Sequence, residues 1–471
     1  VPGLDDSTVY GPVAYNRISY DSPAIDNAPL DSCPAIDQRG RPRPSGHGCD
    51  IGSFEFQFVG VGKDGDDENT GLPGDPLLTL GAALDTHPDL IVLGEGAFEV
   101  EYETDFANIV GQGRELTTIS NAGEGRILTI SPEGGLFLSD LRVEPSGNHE
   151  GGCIRGQEGS RVTLENVDLI GCRVSDNDYG GAILTQGSVL LQSSSIVGGE
   201  GAEAGWGGGI AAPESDHISI DIRDSELLEL DAVHQGGAVW STSGYVRLSG
   251  TEVRECSAPD GGAIWHDAHW IVRNSTFADN LATGSIIDGS EADIVISESS
   301  LYDNQAASTL RAPTMWIYQC TFSNNSGVGV QCPDYSCGAI PCAFCHIEST
   351  TLVGDDTLLS VSTGELRLLA SIVNGGEDTP ACEGEINSLG NNIENRDSCN
   401  LQGDGDMSDT DPLLLTLQDN GGPTLTHEPA SESPAIDAAE EDCGSSASGA
   451  DQRGVLRSLP CDIGAVERVA E

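Results

Sequence analysis

The chain has 471 residues, and 76 acidic side chains against 21 Lys and Arg leave a formal charge of −55. A surface this negative repels nucleic acid and anionic lipid, which excludes both as partners, and no stretch is long and apolar enough to span a bilayer. The 61 glycines and the 37% hydrophobic, 5% aromatic composition describe lean apolar runs broken by many tight turns, not a disordered chain.

Residues 1–56 hold a first copy of a module that returns at residues 401–471. Gly11-Pro12 precedes Ser22-Pro23-Ala24-Ile25-Asp26 as Gly422-Pro423 precedes Ser433-Pro434-Ala435-Ile436-Asp437. Each run continues through one cysteine (Cys33; Cys443), a DQRG word (Asp37 to Gly40; Asp451 to Gly454) and a Cys-Asp-Ile-Gly word (Cys49 to Gly52; Cys461 to Gly464). The spacing predicts one equivalent disulfide in each copy, Cys33–Cys49 and Cys443–Cys461. Polar ties are predicted from Asp37, Arg39 and Asp50 and from Asp451, Arg453 and Asp462, with Arg39 paired to Asp26 and Arg453 to Asp437. A stack of strands exposes open edges at its ends, so the C-terminal copy is expected to fold over the last coil of the body between the modules.

Residues 57–89 read as a linker with a short helix over 77–87 covering the first coil. The acidic loop at 62–75 carries Asp64, Asp66 and Glu68 at alternate positions, and the loop at 403–411 carries Asp404, Asp406, Asp409 and Asp411. Oxygen ligands at that spacing suit a structural calcium, although neither run has the full EF-hand pattern.

Residues 90–400 repeat a short phrase: an alternating strand, a small polar pair, one apolar residue, then Asn, Asp or Gly. The apolar residues are Leu169, Ile196, Leu227, Val253, Phe277, Leu301 and Phe322, at steps of 27, 31, 26, 24, 24 and 21. A Gly-Gly-X-Ile/Val word starts at 151, 180, 207, 236 and 261, at steps of 29, 27, 29 and 25. Two markers with one period indicate a solenoid. Period-two runs such as RVTLENVDL and HISIDIRDS make its elements strands, and the handedness rule for parallel connections gives an all-β, right-handed parallel β-helix. Asn280, Asn304 and Asn325 are predicted to stack in a side-chain ladder.

The even count of 14 cysteines points to an oxidising, extracytoplasmic compartment, with Cys382–Cys399 a third predicted pair. Cys332, Cys337, Cys342, Cys345 and His346 have a spacing that suits zinc, with disulfides, including Cys256 or Cys320, as the competing reading. The chain opens at Val1 without a leader pattern and reads as a processed, exported product.

The Gly-Gly-Ala-Ile words followed by TFADN and TFSNN resemble the repeats of polymorphic outer-membrane proteins. The closing passage, DPLLLTLQDNGGPTLTHEPASESPAIDAAEEDC through DQRG to CDIGAVE, is similar to secreted bacterial β-helix proteins of the choice-of-anchor Q type. Residues 107–143 resemble the first coils of that family. The resemblance covers most of residues 90–467 and implies an exported right-handed β-helix held at a cell surface. This chain departs from the pattern by carrying the closing module at its N-terminal end as well.

For chemistry the sequence offers WHDAHWIVR, where Trp265, His266, Asp267, His269, Trp270 and Arg273 place aromatics beside acid and base, as a sugar site would. The competing account makes this a polar coil corner. The expectation is therefore an exported, non-catalytic structural protein, an extracellular or cell-surface fibre subunit that associates with itself head to tail through its end modules. Surface or matrix polysaccharide is a further expected partner. The alternatives are a carbohydrate-active β-helix enzyme, a lyase or hydrolase, and a monomeric surface adhesin.

Overall fold

The computed structural model describes residues 18, 22–146, 152–199, 203–289, 292–334, 336–337, 340–341, 343–439 and 449–469. Gly11, Pro12, Cys342 and Cys443 lie outside that set. The chain winds as an all-β, right-handed parallel β-helix whose strands stack in three columns. The first column runs from Phe58–Val61 to Ile386–Gly390, the second passes through Thr276–Ala278 and Ser300–Tyr302, and the third through Ile264–His266 and Ser285–Asp288.

Register explains the repeated phrase. Leu169, Ile196, Leu227, Val253, Phe277, Leu301 and Phe322 are successive partners in the second column. Ile154, Ile183, Ile210, Val239 and Ile264 are successive partners in the third. All of them are buried in one continuous core. These inward positions are apolar in every coil, because a polar residue taken from water without a partner is costly.

The corners follow the same logic. Between the first and second columns one residue per coil takes a left-handed conformation, among them Asn166, Asp224, Asn274 and Asn391. Asn and Asp tolerate that region best among residues with a Cβ. The next residue turns inward and its hydroxyl caps the coil before: Ser225 Oγ accepts from Ser194 N–H, and Ser299 Oγ from Ser275 N–H, each at 3.1 Å. At the opposite end of the second column the asparagine ladder forms. Asn280 Nδ2 donates to Asn304 Oδ1 at 2.9 Å, and Asn304 Nδ2 to Asn325 Oδ1 at 2.8 Å.

A helix, Leu80–Asp85, closes the N-terminal end, with Leu80, Ala83 and Leu84 buried in the core. Thr79 caps it, and Asp67 accepts from Leu78 and Thr79 N–H and from the Thr79 hydroxyl. At the other end Cys399 and Leu401 complete the core.

The C-terminal module does not fold over the last coil, as the sequence suggested. It lies along the side of the rod, on the outward face of the second column. Gln452 binds Ser300 and Thr321, Ala465 N–H donates to Thr351, and Gly464 N–H donates to Ala370 O. The end was already covered by the chain's own last turns, whereas the apolar outward faces of Ile372 and Ile393 needed Ala435, Ala439 and Ile463. The N-terminal copy sits on the first column, where Ile18, Phe54 and Phe56 pack with Leu90.

Inside both copies the same ties recur. Asp37 accepts from Arg39 and Arg41 N–H, as Asp451 does from Arg453 and Val455 N–H. Asp50 accepts from Asp26 N–H and Asp462 from Asp437 N–H. The predicted arginine pairs are corrected. Arg39 pairs with Asp37 and, through both terminal nitrogens, with Asp89 on the rod, and Arg453 pairs with Asp451. Asp26 and Asp437 present backbone N–H groups to the neighbouring aspartates, which leaves the guanidinium to bridge outward.

Candidate functional site

Cys33–Cys49, Cys153–Cys172, Cys332–Cys345 and Cys382–Cys399 are bonded, which agrees with an oxidising environment. Cys461 is also disulfide-bonded. The Cys332–Cys345 bond removes two of the proposed zinc ligands. Cys256 and Cys320 are buried free thiols, not disulfide partners; burial pushes both up to about 12, so they stay protonated. Among the described residues no helix is long and apolar enough to cross a membrane.

Among the described residues no group of three or more His, Cys, Asp or Glu side chains converges at either acidic loop. Asp64, Asp66 and Glu68 are exposed, and Asp66 accepts from Glu68 N–H. Asp406 is used structurally, since it takes Asn392 N–H at 2.9 Å and the Ser388 hydroxyl at 2.6 Å. Asp411 accepts from Leu413 N–H. Asp404 and Asp409 lie in the same loop, where their backbones close turns onto Asn391 and Arg396.

The WHDAHWIVR cluster is dispersed by strand alternation. His266 and Trp270 point into the core, with His266 Nδ1 on Ser241 O at 3.0 Å. Burial holds the His266 imidazole down at about 4, so it is neutral near pH 7. His269 and Arg273 face outward on the first column, and His269 lies 3.3 Å from Asp293. Asp267 sits at the turn between the columns. Only Trp265 faces outward on the third column, so this stretch is not one site.

Trp265 instead belongs to a strip that runs along the rod. It stacks on Trp240 of the preceding coil, with ring centroids 6.0 Å apart and planes at 17°. Trp240 meets Trp206 at 6.3 Å and Tyr179 at 5.3 Å, and Tyr179 stacks on Trp206 at 4.7 Å. His234 lies against Trp206 at 4.3 Å. Trp206 and Tyr179 come from the corner before the third column, where Glu203–Trp206 pairs with Asp231–Gln235. The Trp240 indole N–H donates to Gln235 Oε1 at 3.3 Å, which fixes the ring's tilt.

The strip continues into charge. Asp288 is the partner of Trp265 in the next coil, and Arg311 the partner of Asp288 in the one after. Arg311 holds Asp288 Oδ2 at 3.1 Å, while Oδ1 has no hydrogen-bond partner among the described residues. Burial raises the Asp288 carboxyl above the usual carboxylate range, against the lowering pull of Arg311 and of the nearby Ser285 hydroxyl, and the Asp260 charge adds to the rise. Asp260 follows Gln235 at the corner. Gly284 lies under it, and a Cβ there would fall 2.0 Å from Asp260 Oδ1. Aromatic faces that accept C–H groups, ending at a carboxyl of altered acidity, are the ingredients of a polyhydroxylated-ligand site.

A family model described as a right-handed beta helix region matches residues 203–344. The fold is therefore that of the right-handed β-helices. No curated protein matches the chain. Among solved structures, a rhamnogalacturonan lyase covers 80% of this chain and 96% of its own at 10% identity and a TM-score of 0.39. The A-module of Azotobacter vinelandii mannuronan C-5 epimerase AlgE4 covers 70% of this chain and 93% of its own at 13% identity and a TM-score of 0.38. Both of these proteins are named for enzymatic activities, and the expectation that this chain is not an enzyme is corrected: a β-helix excludes no chemistry by its fold.

Proposed function

We propose that the protein is an exported β-helix that seats an extended glycan along the strip Tyr179–Trp206–Trp240–Trp265. The carrying observation is the run of aromatic rings over successive coils, in which Tyr179, Trp206 and Trp265 stay partly exposed around Trp240, which is 7% exposed and packs between them. Strands in a sheet lie about 4.8 Å apart, so a linear chain of sugar rings laid along the rod meets the exposed parts of Tyr179, Trp206 and Trp265, with Trp240 packed beneath as their support. The disulfides and the resemblance of the closing passage to secreted choice-of-anchor Q proteins support export. Tryptophan fluorescence titration with neutral and uronic oligosaccharides tests the reading. Saturable quenching is expected, weakened at least tenfold in Trp240→Ala and in Trp265→Ala. Equal binding by both variants, or no quenching with any oligosaccharide, overturns it.

Asp288 favours a second reading in which the bound glycan is also a substrate. Its buried carboxyl, with one oxygen held by Arg311 and the other unbonded, suits transfer of a proton at the end of the strip. Release of reducing ends or unsaturated products by the wild type, lost in Asp288→Asn with binding retained, is the expected result.

A further inference from the structure

The two copies of the end module share a surface but not its surroundings. In the C-terminal copy one face presses on the second column of the rod. Its members are Ala450, Gln452, Ile463, Gly464 and Ala465. Ala450 O accepts from Gln319, and Gln452 Oε1 accepts from the Thr321 hydroxyl while its Nε2 donates to Ser300 Oγ. A Cβ on Gly464 would fall 2.8 Å from both Ile372 Cδ1 and Thr351 Oγ1. Ala450, Ile463 and Ala465 are 6%, 1% and 0% exposed.

The corresponding residues of the N-terminal copy are Ile36, Gln38, Ile51, Gly52 and Ser53. The alignment is structural as well as sequential, since the bridge Ile36–Pro42 matches Ala450–Leu456 and the bridge Ala28–Cys49 matches Ala439–Cys461. Three of the five are identical between copies: Gln38 and Gln452, Ile51 and Ile463, Gly52 and Gly464. Yet Ile36 is 58% exposed and Ile51 57%, Gln38 and Ser53 are exposed, and a Cβ on Gly52 would meet nothing within 4 Å. Gln38 N–H donates to Ser53 O, so these residues form one continuous face. The N-terminal copy reaches the rod by a different side, through Arg39 on Asp89 and Phe54 and Phe56 near Leu90.

We propose that this face of the N-terminal module docks on the second-column sheet of another parallel β-helix, on a column of serine and threonine hydroxyls like Ser300–Thr321–Thr351. The template is the interface this chain already makes with itself. The rest of its own second column does not offer three hydroxyls in a row: in register with Ser300, Asp168, Glu226 and Glu252 interrupt Ser195 and Thr276. Its own hydroxyl column is covered by its own C-terminal module. The partner is therefore a β-helix whose hydroxyl column is uncovered, and docking would join rods end module to side.

The test makes such a partner from this chain. The full chain carrying Gln452→Ala and Ile463→Asp should release its C-terminal module and bare the hydroxyl column. Gly464→Leu does the same by steric pressure on Ile372 and Thr351, with no charge introduced. Hydrogen exchange over residues 449–469 selects the variant in which release has occurred. Sedimentation equilibrium of that variant mixed with the wild type is expected to show complexes at least twice the monomer mass. Ile51→Asp in both chains should return them to monomers. Monomers in the first mixture, or complexes that survive Ile51→Asp, overturn the proposal.

Discussion

The corner that carries Asn280, Asn304 and Asn325 and the strip that carries Trp240, Trp265 and Asp288 are built by one rule and end in opposite states. Both place like residues in register on successive coils. At the asparagine corner the side chains are buried, and each amide is used twice: Asn304 Oδ1 accepts from Asn280 N–H and Nδ2, while Asn304 Nδ2 donates to Phe277 O and Asn325 Oδ1. On the strip, Tyr179, Trp206 and Trp265 stay partly exposed around a buried Trp240, and the sequence of coils finishes in a carboxyl with one oxygen unbonded. A saturated stack stabilises the fold and has nothing left to offer a ligand. An unsaturated one adds less to stability and keeps its groups for recognition.

The largest effect should come from breaking the saturated stack. Asn304→Leu removes four hydrogen bonds and leaves neighbouring amide groups buried without partners, at about 1–3 kcal/mol for each group stranded. We expect a loss of about 4 kcal/mol of unfolding free energy, read by denaturant titration, and no change in glycan binding. A loss below about 1 kcal/mol would mean that the ladder is incidental to the stack.

Acid should separate the interior from the strip next. Burial holds His266 neutral, with its pKa lowered from 6.5 to about 4. The unfolded chain takes up a proton between those values and the native chain does not. This contribution is therefore full above about pH 6.5 and is lost as the pH falls towards 4, by about 3 kcal/mol. His266→Leu should flatten the stability profile across that window, at the cost near neutrality of the one hydrogen bond from Nδ1 to Ser241 O. Asp288 acts with the opposite sign: its carboxyl is raised, so its protonated form is the one the fold favours. Asp288→Asn should raise stability most above the native pKa of that group, where the wild type must bury a charge. An unchanged profile in either variant would place the responsible titration elsewhere.

The rod was legible in the sequence because its inward columns admit only apolar residues at one position per coil, which leaves the steps from Leu169 to Phe322 in plain view. The asparagine ladder was legible for the same reason, since a buried amide at one corner must find its like in the next coil. The end modules were legible as copies, but their seats were not. Arg39 reaches Asp89 rather than Asp26, and Gln452 reaches Ser300 across 152 residues, by contacts that local spacing does not encode. The strip escaped for a related reason. Tyr179, Trp206, Trp240 and Trp265 are 27, 34 and 25 residues apart and lie on two different ladders. They meet only once the register of the coils is known. The contiguous WHDAHWIVR run is dispersed for the converse reason, because alternation turns adjacent residues to opposite faces.

The smallest stability effect belongs to the strip, and it sharpens the comparison most. Trp265 is half-buried and its chief packing partner is one ring face of Trp240. Losing such a stack costs about 1 kcal/mol, whereas truncating a buried aromatic costs about 3–5 kcal/mol. Trp265→Ala should therefore shift the unfolding free energy by about 1 kcal/mol, while Trp270→Ala, one coil face away in the core, should cost several times more. If both substitutions cost the same, the strip is part of the scaffold and its rings are placed for packing. If Trp265→Ala leaves the fold nearly untouched and weakens glycan binding tenfold, the rings are held outward for a ligand, and the same stacking rule serves stability inside the rod and recognition outside it.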